Sequence, residues 1–79
     1  MARYHFHMRD EGLFIEDVEG ADFADLKAVR REALLSAREL ISHAAFKGDN
    51  VLTRTFEITD EQGRIVLTVP FSDAIVRGS

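Results

Sequence analysis

Cysteine and tryptophan are absent from the chain, and proline occurs once. Without thiols there is no disulfide and no thiolate metal site. No apolar run is long enough for a signal-peptide core or a membrane span, so the expected location is the cytoplasm. The signatures of catalysis are missing as well. There is no phosphate-cradling glycine loop, no G-x-S-x-G elbow, no H-E-x-x-H helix and no thiol nucleophile. An enzyme is therefore not expected, and no cofactor is expected.

What is present is unevenly spread. Seventy-nine residues make one domain, 1–79, and a chain of this size buries only about 60–65 % of its extended-chain surface, so the core is small. The net charge of −4 argues against a generally basic nucleic-acid coat. Residues 10–25 carry seven acids and no base. Residues 27–47 reverse this, with Lys27, Arg30, Arg31, Arg38 and Lys47 against Glu32 and Glu39.

Periodicity supplies the elements. In "RYHFHMRD", Arg3, His5, His7 and Arg9 alternate with Tyr4, Phe6 and Met8, which predicts a strand with a polar and an apolar face. "DEG" then predicts a turn, "LFIED" a short second strand, and "DVEGAD" a loop with Asp22 or Asp25 capping the helix that follows. From Leu26 to Phe46 apolar residues recur at spacings of three and four, and Gly48 stands just past the end. "RTFEITDEQGRIVLTVPF" predicts two strands around the "DEQG" turn, with Pro70 ending the last or lying on an edge.

The order β-β-α-β-β predicts an α+β fold, two layers with one helix packed on a small, mainly antiparallel sheet of four strands. The expected core is Tyr4, Phe6, Met8, Leu26, Val29, Ala33, Ala37, Leu40, Phe56, Ile58, Ile65, Leu67 and Val69. Arg3, His5, His7, Arg9, Thr53, Thr55, Glu57, Thr59, Val66 and Thr68 are expected on the outer face of the sheet.

Several residues bear on function. Two imidazoles two apart on a strand point the same way and suit zinc if His43, Asp10 or Glu57 joins them, but no ligand-spacing motif is present and no metal is expected. Arg3, His5, His7 and Arg9 are also a candidate ligand or phosphate-binding row. On the helix, Ala28, Leu35 and Phe46 fall opposite the core stripe and are candidate partner-interface residues, unless Phe46 folds back over a strand.

"FHMRDEG", the "EG" at Glu19 and Gly20, "DLKAVRREALLSAREL" and "FEITDEQGRIVLTVPFSDA" resemble the small bacterial proteins of the domain-of-unknown-function family numbered 6894. The resemblance spans residues 3–75 and implies a bacterial, stand-alone, single-domain protein. It assigns no activity, cofactor or site residue. "RDEG", "EDVEG" and "REALLSA" are also similar in order to the N-terminal domain of HicB-type antitoxins, although "TDEQGRIVLTVPF" has no counterpart there, so this is a likeness of fold only.

The expected function is a non-enzymatic protein-interaction or regulatory module, with no membrane association. The alternative is a nucleic-acid-associated regulator using the Arg and His strand face with Arg30, Arg31 and Arg38. A third reading, a small metal-dependent enzyme, requires His5 and His7 to converge with a carboxylate in a pocket. A homodimer is expected, because one helix leaves a sheet face and the sheet edges uncovered; edge pairing is favoured over contact through Ala28, Leu35 and Phe46.

Overall fold

The computed structural model describes residues 1–75, so the last four positions of the 1–79 domain lie outside the described residues. The alternating stretch Ala2–Asp10 is strand β1, and it is the hub of the sheet. β2 (Leu13–Ile15) and β3 (Ala21–Phe23) lie end to end along one side of it, and β4 (Thr55–Thr59) lies along the other. β5 (Ile65–Pro70) follows β4, all pairings are antiparallel, and the strand order is β2-β1-β4-β5 with β3 beside β1. The fold is α+β, one helix against a five-stranded antiparallel sheet.

The fifth strand is a difference from expectation. "DVEGAD" reads as loop because it has no apolar period, yet Ala21 pairs with Tyr4 and Phe23 with Ala2. The Phe23 ring holds it there, tilted against Phe6 at 5.6 Å and Tyr4 at 6.4 Å. A short strand is fixed here by aromatic contacts that local sequence does not display.

Helix α1 occupies Leu26–Phe46, as the periodicity predicts. Asp25 caps it, its Oδ1 accepting the Ala28 N–H at 2.8 Å, while Asp22 is engaged with Arg3 instead. At the other end Gly48 has φ +83°, a left-handed conformation that lets its N–H reach the Ala45 carbonyl and the Asp49 N–H reach that of Ala44. That pair of bonds satisfies carbonyls the last turn leaves open. Asp25→Ala is expected to cost about 1 kcal/mol in urea unfolding, and Asp22→Ala clearly less. Equal losses would show that the cap is misassigned.

The core is small-on-large. Val29, Ala33 and Ala37 on α1 sit against Phe56, Ile58 and Val69 of the sheet, and the short helix side chains let the layers approach closely. Tyr4, Phe6, Met8, Leu40 and Leu67 are partly buried against them. Two expected core residues are exposed. Leu26 opens the first helical turn, ahead of the buried stretch that begins at Val29, and is exposed. Ile65 is 59 % exposed because the register shifts between Ile58 and Thr59: Ile58 faces Leu67 but Thr59 faces Ile65, leaving Val66 as the extra residue of a bulge. One inserted residue exchanges the faces, so Ile65 turns outward with Thr59, and Val66, expected outside, packs against the core. The core also gains Val51 and, from a 3-10 turn at Phe71–Ala74, Phe71 and Ala74.

The sheet edges are blunted. The Phe71 N–H reaches the Arg54 carbonyl at 2.9 Å, so Pro70 takes the alternate position whose nitrogen faces away from β4, where no ladder donor can be offered. With the bulge at Val66 and the three-residue strands on the opposite edge, this arrangement discourages pairing with another chain.

The β4–β5 turn is organised by Asp60. Its Oδ1 accepts the N–H groups of Gln62 (2.9 Å) and Arg64 (3.0 Å), and Oδ2 accepts from Arg64 Nε (3.2 Å). The Arg64 N–H is the main reason its carboxyl lies below the ordinary value, with the Gln62 N–H and the Arg64 charge adding to it against partial desolvation. A carboxyl lowered by folding stabilises the fold above its unfolded-state value, and this is lost as pH falls through the folded value. Asp60→Asn is therefore expected to flatten the acid limb of the stability curve below about pH 4. An unchanged acid limb would remove Asp60 from that role.

Candidate functional site

Between β2 and β3 the chain leaves the edge of β1, and there the Phe6 N–H has no strand to pair with. Asp17 fills the gap. Its Oδ2 accepts the Phe6 N–H at 2.9 Å and its Oδ1 the Gly20 N–H at 3.2 Å, so one carboxylate replaces a strand carbonyl and closes the loop. Carboxylates make strong acceptors for main-chain donors.

The two histidines hold the same residue from the other side. His5 Nδ1 lies 2.9 Å from the Asp17 carbonyl, which can only accept, so that nitrogen carries the proton. The Asp17 N–H donates to His7 Nδ1 at 3.0 Å, so that nitrogen is unprotonated and His7 Nε2–H donates to Thr59 Oγ1 at 3.1 Å. The rings stack 6.0 Å apart within 6° of parallel, with His5 directing a protonated Nδ1 and His7 an unprotonated Nδ1 at Asp17. Gly20 completes the clasp with φ +69°; a Cβ there would lie 2.7 Å from the Tyr4 carbonyl oxygen and 2.9 Å from the His5 ring, so only glycine fits.

His5 and His7 are on the outer face, as expected, but half-buried rather than open. They and Thr59 floor a cleft of about 200 Å³. One jaw is the clasped loop Glu16, Asp17 and Val18; the other is the turn Asp60, Glu61 and Gly63. Among the described residues neither a lysine nor an arginine lines it.

Arg3 and Arg9 lie outside the cleft. Arg3 bonds the Glu19 carbonyl (2.8 Å) and pairs with Asp22 (3.2 Å). Arg9 pairs with Glu57 at 2.6 Å and lies over the Phe14 ring, 4.6 Å from its centroid. The row thus divides, His5 and His7 meeting on Asp17 while Arg3 and Arg9 are each engaged elsewhere, and the four side chains do not converge on one point. Of the residues considered as metal partners, Glu57 is engaged with Arg9, Asp10 accepts from Thr53 (3.1 Å), and His43 belongs to the helix layer. Among the described residues no group of three or more histidines and carboxylates is arranged to hold a metal ion.

On the helix, Leu35 is exposed and Phe46 is 93 % exposed, so Phe46 does not fold back over a strand. Ala28 is half-buried. Arg30, Arg31 and Arg38 are on this layer too, across the sheet from Arg3 and Arg9.

Sequence reasoning found the imidazole pair and the face it lies on. It did not find Asp17, Gly20 or Glu61, which a strand-loop-strand reading treats as solvated loop.

Residues 3–72 match the family described as Domain of unknown function (DUF6894). The chain belongs to this family. No curated protein and no solved structure matches it. Among the described residues no helix is long and apolar enough to cross a membrane.

Proposed function

We propose that this DUF6894 chain is a non-enzymatic protein-interaction module whose contact surface is the outer face of the sheet. The observation that carries the reading is an apolar rim around the cleft. Val18, 76 % exposed, forms part of one jaw; Ile65 stands opposite Thr59; and Phe14 lies 5.5 Å from His7, ring to ring. Three large apolar side chains brought to one uncovered face, one of them by a bulge, favour contact with another polypeptide. The engagement of both nitrogens of His7 supports binding over catalysis at that ring, since neither is free to carry a proton elsewhere. The blunted edges favour self-association through faces over strand pairing, so a homodimer of this chain, where it forms, competes with other partners for the rim.

The test is photo-crosslinking in living cells from position 18, with position 35 on the helix as the comparison. A discrete adduct from position 18, abolished by Ile65→Asp and weak from position 35, is expected. An adduct of twice the chain mass identifies a second copy as the partner. Adducts from position 35 alone, or none from position 18, contradict the assignment.

A further inference from the structure

We infer that the cleft on the outer face receives a lysine or arginine side chain from a basic segment of a protein partner, an inference that rests on reading this face as the contact surface. The groups it offers are acceptors. Both jaws contribute carboxylates, and those of Glu16 and Glu61 have no hydrogen-bond or ion-pair partner among the described residues. In its neutral form His5 adds a lone pair at Nε2, since its Nδ1–H is committed to the Asp17 carbonyl and Nε2 has no partner among the described residues. A cation that only donates is the chemical complement of such a lining.

The jaws are preorganised. Asp17 is tied to β1 by its carboxylate, its N–H and its carbonyl, and Asp60 ties its own turn through three contacts, so the flanking Glu16 and Glu61 are carried on fixed backbone. The volume of about 200 Å³ accommodates the end of one long side chain rather than a folded element. The exposed Val18, Ile65 and Phe14 beside it call for apolar coverage, which a free polyamine does not provide and a protein segment with interspersed apolar residues does. Nucleic acid is disfavoured by the same carboxylates, which repel phosphates.

A second copy could bring the helix cations Lys27, Arg30 and Arg31, but sheet-on-helix contact is head-to-tail and gives rings or filaments in place of a two-fold dimer. A different basic protein is the favoured occupant.

The experiment uses the whole chain, labelled with ¹⁵N, and three capped hexapeptides alternating leucine with lysine, glutamine or glutamate. The lysine peptide is expected to shift the amides of Val18, Thr59 and Gly63 and the His5 imidazole. Its affinity should fall at least about tenfold in Glu16→Gln/Glu61→Gln, and likewise when glutamine replaces lysine. Both glutamates are exposed, so the double variant keeps its fold, checked by unchanged shifts in the helix.

Equal binding of the glutamine and lysine peptides at the cleft overturns the cation preference while leaving the contact face intact. No outer-face shift with any peptide, joined to absent crosslinks from position 18, overturns both. Shifts from the lysine peptide spread over Asp49 and Asp73 as well indicate diffuse charge attraction and overturn the proposal. A short oligothymidylate that shifts the cleft amides overturns it in favour of nucleic acid.

Discussion

Phe71→Ala is expected to be the most damaging single truncation in the chain, costing about 3–5 kcal/mol of unfolding free energy. Phe71 is the largest side chain that is fully buried, and its ring lies 4.9 Å from that of Phe56, centroid to centroid. It comes from the 3-10 turn that follows β5, and its N–H also fixes the chain to the Arg54 carbonyl. Truncation leaves a cavity bordered by a sheet on one side and a helix on the other, neither of which can collapse into it without breaking hydrogen bonds. A domain of this size holds about 4–12 kcal/mol in all, so the variant sits near the limit of folding at 37 °C. Phe71→Leu, which keeps most of the volume, should lose only about 1 kcal/mol. Urea unfolding of both variants checks this, and a Phe71→Ala loss below about 1.5 kcal/mol would mean that the ring is not a core element.

Asp17→Ala is expected to cost about 2–3 kcal/mol, more than any other polar substitution considered. Removing the carboxylate orphans two main-chain donors at once, the half-buried Phe6 N–H and the Gly20 N–H. Asp22→Ala is the control, since it loses only a solvent-exposed pair with Arg3 and should cost under about 1 kcal/mol. The change should also be local. Amide exchange should accelerate at Phe6 and Gly20 and in β3, while Phe56 and Ile58 in the sheet centre keep their protection. An Asp17→Ala variant within about 0.5 kcal/mol of the parent, with Phe6 still protected, would show that the carboxylate does not substitute for a strand.

These two residues also mark where the sequence stops being informative. The helix was legible because periodicity and the C-terminal glycine are local signals that agree, while the sequence leaves the cap between Asp22 and Asp25 and the structure places Asp25 on the Ala28 N–H. The faces of β1 and β4 were legible for the same reason. Phe71 was not, because it follows a proline that reads as the end of order, and only tertiary packing makes it core. Ile65 and Val66 were misplaced because a bulge is a property of two strands, and alternation in one strand cannot reveal it. At the cleft, the sequence shows that His5 and His7 share a side. It does not show that both turn to Asp17, ten and twelve residues away, and the tautomers follow only from that meeting.

In the proposed function the histidine pair builds and holds a binding cleft instead of reacting or binding metal. Long-range ¹H–¹⁵N spectra of the imidazoles at about pH 8, where histidines are ordinarily neutral, test it most directly. The result required is two opposite tautomers, His5 protonated at Nδ1 and His7 at Nε2, with His7 reverting to averaged signals in Asp17→Pro, which removes the N–H that His7 accepts. Two identical tautomers in the parent chain, or rings already averaging between forms, would contradict it.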